Sequence, residues 1–229
     1  MQDLRHKSIH SDTHLRRFRH HCLGSFIHLI LDGEIMFQSI LRFQATLSTL
    51  QWVAVAATAF LFNYWATDVL NSAYAASGFP VPYWEAQLSF DHLKLKGWYQ
   101  VLLDKGSLGL YLNAQYVDFL FIISVLVLHP SVLVLVSRLH QASSRGRSTL
   151  LWAALLSTLA PTFDALENFV SFFLLAEPLS FAPALALAYS SLAAGKFAMF
   201  TFAYAAVPAG IILACYSRLA DYRCRQSRA

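Results

Sequence analysis

Residues 159–178 read LAPTFDALENFVSFFLLAEP, an apolar stretch interrupted by Asp164, Glu167 and Asn168. Their spacing, i, i+3 and i+4, puts all three on one face of a helix. An ionised side chain at the centre of a bilayer costs roughly 2.5–3.5 kcal/mol on insertion scales. That face therefore has to point into protein rather than lipid. Two carboxylates and an amide so placed can bind a cation, pass a proton or pair with a buried base. One candidate base exists. Lys196 stands inside the apolar run 184–216, and besides His129 it is the only basic residue within any predicted span. Asp118 lies within the run 114–136, about one turn from its outer end. Asn63, Tyr64 and Asp68 lie in the outer third of the run 50–70. Polar groups from four segments thus converge at similar depth. Tyr116, near Asp118, and Tyr204, two turns from Lys196, are the aromatic hydroxyls expected to support the cluster, together with Asn63 and Asp68.

Three potential anions, Asp118, Asp164 and Glu167, face one ammonium. In a medium of low dielectric such an excess calls for a bound proton or a second cation. The candidate ligand- or ion-binding residues are therefore Asp118, Asp164, Glu167, Asn168 and Lys196. Three classes of function follow. A binding or transport protein uses the acids as ligands for a small cation or proton, with Lys196 as internal counter-ion. A lipid- or sterol-binding protein or lipid-modifying enzyme uses a carboxyl as general acid or base. A structural or assembly subunit uses the cluster only to pack its helices. No nucleophile–base pair and no GxSxG, HExxH or Walker pattern supports an enzyme, and nothing in the pattern asks for a cofactor.

The elements that must position these residues are membrane helices. The chain of 229 residues is 57% hydrophobic and only 13% charged, with a mean hydropathy of +0.48. Soluble domains carry about 25% charged residues. A span needs roughly 20 apolar residues, and four segments qualify, at about 50–70, 114–136, 149–176 and 184–216. Trp52 and Trp65 mark the ends of the first. Pro161, three residues before Asp164, frees the carbonyl of Ser157 and should kink the third; Pro130 and Pro208 should act similarly in the second and fourth. The expected fold is all-α: a polytopic bundle of four transmembrane helices at 48–217, flanked by a basic N-terminal tail, 1–47, and a basic C-terminal tail, 218–229.

Arginines set the orientation. Arg16, Arg17, Arg19 and Arg42 precede the first span. Arg138, Arg145 and Arg147 occupy the loop 137–148, and Arg218, Arg223, Arg225 and Arg228 follow the last span. All these segments fall on one side, which the positive-inside rule makes cytoplasmic for both termini. The net charge of +4 is thereby explained without nucleic acid. The expected location is the plasma membrane, the inner membrane of a bacterium. The bilayer is the principal partner. A homo-oligomer would suit a transport role, because four helices seldom enclose a pathway alone.

Between the first two spans, residues 83–105 place Trp84, Leu88, Leu95, Trp98 and Leu102 at helical spacing. They are expected to form one amphipathic helix, either lying on the outer membrane surface or packed as a lid on the bundle. Asp91 falls on its apolar side. Gly97 is a weak point and Gly106 an end. Residues 23–47 are too polar to span and suit an inner-surface helix. Five of the nine histidines fall in residues 1–21, where a solvated tail or a metal-binding tract are the two readings. Met36 offers a later start, and no signal-peptide cleavage site is evident. Cys22, Cys215 and Cys224 show no metal or disulfide spacing and are expected as free thiols.

The series YVDFLF around Asp118, then APTFDALEN, then GKFAMF around Lys196, resembles a group of small four-helix bacterial membrane proteins over roughly residues 100–215. The resemblance implies a site at these motifs and no particular chemistry. The layout, with a long outer connection after the first span, is loosely similar to that of sterol-isomerase-like and sigma-2-receptor-like four-helix proteins.

Overall fold

A computed structural model describes residues 44 and 46–226. All its regular elements are α-helices: α1 (Thr49–Ser77), α2 (Tyr83–Gln87), α3 (His92–Asp104), α4 (Leu108–Ser137), α5 (Arg145–Leu156), α6 (Leu159–Ala176) and α7 (Pro183–Gln226). Four segments are long and apolar enough to cross a membrane: Thr49–Ser77, Leu108–Ser137, Arg145–Ala176 and Pro183–Ala220. Each is longer than its hydropathy alone suggests. The chain divides between Leu47 and Ser48 into two units, and all four segments belong to the second. The proposed inner-surface helix, the histidine-rich tail, Cys22 and Met36 lie outside the described residues.

Local chemistry sets the boundaries. The Ser48 hydroxyl accepts from Gln51 N, and Ser48 N donates to Gln51 Oε1, a reciprocal cap that starts α1. Gly78, at φ +62°, ends α1 in the left-handed region, where a Cβ would be strained. Gly106, at φ +65°, makes the corner between α3 and α4. Pro161 lacks the N–H that would bond Ser157, and the third segment breaks into α5 and α6 at Ser157 and Thr158. The hydroxyls of both residues turn back onto Ala154 O and Leu155 O, at 2.7 Å each. By contrast, α4 and α7 run unbroken through Pro130 and Pro208.

In the bundle α1 packs along α4, and α6 packs along α7. The seam of α1 is small: Ala56, Ala59 and Ala66 are its buried alanines, with Trp52 at one end. Small residues let membrane helices approach closely. Gly210 does the same for α7, since a Cβ there would stand 2.7 Å from Leu150 and 2.8 Å from Val136. At this end of the bundle Arg138 Nη1 donates to Thr49 Oγ1 at 2.9 Å, Arg218 Nη2 to Leu139 O at 3.1 Å, and a ring nitrogen of His140 meets Gly210 O at 3.0 Å. The basic residues of the α4–α5 connection and of the end of α7 therefore gather at one end.

The opposite end is covered by the α1–α4 connection. It is not one amphipathic helix, as the spacing suggests, but two. Asp91 interrupts the pattern because its carboxylate accepts from Leu93 N at 2.9 Å and Lys94 N at 3.2 Å, capping a new helix. Just before it, Phe90 adopts φ +50°, and its N–H donates to Ser190 Oγ on α7 at 3.1 Å. Leu95, Tyr99 and Leu102 of α3 are fully buried with Tyr111, Leu174 and Tyr189 of the bundle. The segment is a docked lid, and Trp84 and Leu88 are exposed. Helix α7 continues into the basic C-terminal segment, through residues 218–226. Cys215 is an exposed free thiol.

Candidate functional site

The site is built from three helix faces. On α6 the buried residues beyond Ala160 and Pro161 are Asp164, Glu167, Asn168, Ser171, Leu174 and Leu175, and the polar four form an i, i+3, i+4, i+7 stripe. Leu166, Phe169 and Phe173 occupy the outer side. On α7 Ala186, Tyr189, Ala193, Lys196, Phe200 and Ala203 are buried at the same period. Helix α4 presents Tyr111, Gln115, Asp118, Ile122 and Val125. Packing the three stripes together buries Asp164, Glu167 and Lys196 in mutual contact and leaves Asp118 half-buried beside them.

Lys196 is the hub. Its ammonium, 4% exposed, donates to Asp164 Oδ1 at 2.8 Å and to Glu167 Oε2. It also lies 5.3 Å from the centroid of the Phe197 ring, within cation–π range. The pair of acids is thus committed to one base. Asp118 is arranged differently. Its Oδ2 accepts from Asn168 Nδ2 at 2.6 Å, and no ion pair to it occurs among the described residues. Ser171 Oγ donates to Gln115 Oε1 at 2.9 Å, a second polar tie between α6 and α4.

Beside these groups lies a cavity of about 240 Å³. Asp118, Asp164, Lys196, Gln115, Gln87 and Asn71 are among its polar lining residues, and most of the rest are aromatic. The volume is far above the ≳10–15 Å³ that seats one water and just below the roughly 300–1,000 Å³ of drug-sized sites. Glu167 faces the other way, towards the lid. There the hydroxyls of Tyr74 and Tyr111 lie 3.1 Å apart, and Tyr99 and Tyr189 are fully buried. Tyr99 Oη is buried without a hydrogen-bond partner. Among the described residues no three His, Cys, Asp or Glu side chains converge as metal ligands.

No family model, curated protein or solved structure matches the chain.

The structure brings together Asp118, Asp164, Glu167, Asn168 and Lys196. It does not bring all four supporting residues to them. Tyr116 is exposed and stacks on Phe172, 5.0 Å between centroids, because it sits two residues, about 200°, around α4 from Asp118. Asp68 is exposed, while Thr67 and Asn71 take the cavity face of α1. Asn63 Nδ2 donates to Ser124 Oγ at 2.8 Å and ties α1 to α4. Tyr204 lines the cavity and stacks on Phe200. Residues passed over in the sequence include Gln115 and Ser171, each i−3 or i+3 from a recognised polar residue, and Gln87 on α2. Tyr189 is a further one, seven residues before Lys196 and so on its face.

Proposed function

We propose that the protein is a multi-pass plasma-membrane protein that binds a small cation in this cavity, entering from the side opposite the basic end. Asp118 is the ligand-facing anion, and Lys196 with Asp164 and Glu167 is an ion-paired scaffold of net charge −1 beside it. The observation that supports this most is the inequality of the three acids. Two are satisfied by Lys196, whereas Asp118 faces the cavity with an amide hydrogen bond only. Three carboxylates against one ammonium leave two formal negative charges in excess, and such a field attracts cations. The purely structural alternative explains the Lys196 triad and the Asp118–Asn168 tie, and gives the charge of Asp118 no role.

Asp118→Asn tests the reading, because it removes the charge and keeps an acceptor for Asn168. A ligand at a hundredfold its Kd adds about 2.7 kcal/mol of stability. The wild-type protein in a sugar-headgroup detergent should gain thermal stability with a monovalent cation, and Asp118→Asn should lose that gain. Superimposable melting curves for the two proteins in every salt would sink the proposal.

The orientation is also a proposal. It is supported by the grouping of Arg138, Arg145, Arg147, Arg218 and Arg223 at one end, against balanced charge in the lid. In a cysteine-free background, single cysteines at Glu85 and Ser143 are expected to react with an impermeant reagent from opposite faces of the membrane. Reaction from the same face contradicts the four-span topology.

A further inference from the structure

We infer that the cation is an organic ammonium, a nitrogen carrying at least one N–H and an apolar substituent, rather than a bare inorganic ion. The inference deepens the cation-binding reading and rests on it. Three observations carry it. The first is the aromatic lining that shares the cavity with Asp118: Tyr74, Tyr83, Phe121, Phe200 and Tyr204, drawn from α1, α2, α4 and α7. Ring faces attract ammonium groups within about 6 Å, and aromatic cages with a nearby anion are how such groups are recognised. An inorganic ion instead needs a shell of oxygens, and the described carboxylates do not converge to make one.

The second is Gln87. Its side chain lines the cavity and is 95% buried by its 5% exposure, yet Oε1 has no hydrogen-bond partner. A buried acceptor left unmatched is costly. An ammonium N–H held between Asp118 and Gln87 would satisfy it. The third is size, since about 240 Å³ exceeds what a single ion needs and suits a molecule of a few heavy atoms. The molecule already holds one ammonium in this manner. Lys196 rests between two carboxylates with its nitrogen over the Phe197 ring, and the cavity offers a second ammonium the same set: carboxylate, amide oxygen and ring faces.

Thermal shifts of the purified chain in a maltoside detergent test this with n-propylammonium, tetramethylammonium, sodium and potassium chlorides at equal ionic strength. Propylammonium should give the largest saturable shift. Asp118→Asn should weaken it about ten- to a hundredfold, and Tyr83→Leu and Tyr204→Leu about two- to thirtyfold each. Tyr83 and Tyr204 are exposed at 44% and 62%, so these two variants keep the test alive if Asp118→Asn does not fold. Gln87→Leu should erase the preference for propylammonium over tetramethylammonium. The source of the ammonium is separable too. A lipid headgroup predicts that short-chain phosphatidylethanolamine saturates below the concentration of free ethanolamine required, and a soluble amine predicts no such advantage. Asp118-dependent shifts as large with sodium or potassium as with propylammonium overturn the inference and leave cation binding standing. No Asp118-dependent shift with any salt overturns both.

Discussion

Replacing Lys196 with Met should lower the stability of the folded chain by about 3–5 kcal/mol, the scale expected when one partner of a buried ion pair is removed. The reason lies in what stays behind. Asp164 and Glu167 are 2% and 0% exposed, and both have lost the ammonium that neutralised them. Removing one acid alone repairs only half the defect. Lys196→Met with Asp164→Asn leaves Glu167 bare, and Lys196→Met with Glu167→Gln leaves Asp164 bare. The triple variant, with both acids made amides, should recover most of the loss, and a double-mutant cycle should show coupling of 0.5–3 kcal/mol for each acid. Thermal unfolding of the set in detergent is the measurement. Additive losses with no coupling would remove the triad as an interacting unit. The same set separates packing from binding. If the cluster only packs, restoring stability restores any cation-dependent shift with it. If it shapes the field at Asp118, the triple variant folds but binds its cation more weakly, because the net charge of the triad has gone from −1 to zero.

What the sequence shows of this arrangement follows from helical phase. The stripe Asp164, Glu167, Asn168 is legible because the spacing is local and the cost of facing lipid is large. Its convergence with Lys196 and Asp118 is legible from depth, since antiparallel spans of known direction put residues at computable heights. Phase also explains the misplacements. Asp68 and Tyr116 are at suitable depth but on other faces of their helices, whereas Thr67, Asn71 and Gln115 are on the inward ones. Depth alone does not separate these residues; azimuth does. The lid is a different case. Its apolar repeat survives in sequence across Asp91, but the Asp91 carboxylate offers the backbone a cap that ends the repeat. Nor does any local signal say that Tyr99 docks against α6 and α7, since that choice is made by tertiary packing with residues up to about ninety positions away.

That docking gives the second large effect. Tyr99→Ala should cost about 3–5 kcal/mol, as deleting a buried aromatic ring does. The ring is 0% exposed and lies 6.0 Å from Tyr111, 6.2 Å from Phe181 and 6.4 Å from Phe79 by centroids. Without it α3 loses the centre of its contact with the bundle, so Lys94 and Lys96 should become trypsin-sensitive before the four long helices unfold. Tyr99→Phe keeps the ring and removes a hydroxyl that has no partner, and it should be neutral or slightly stabilising. pH provides an independent check. Burial raises the Tyr99 phenol well above its ordinary 10.0. A group whose folded pKa is raised contributes its stability fully below the unfolded value and loses it as pH climbs towards the folded one. The lid contact should therefore be constant up to about pH 10 and weaken above it, and Tyr99→Phe should soften that decline. Unchanged melting and unchanged proteolysis in Tyr99→Ala would mean that α3 rests on the bilayer surface and is not docked on the bundle. The cavity would then lose its cover, because Tyr83 and Gln87 belong to the same connection, and the ammonium site would have to be formed by α1, α4, α6 and α7 without them.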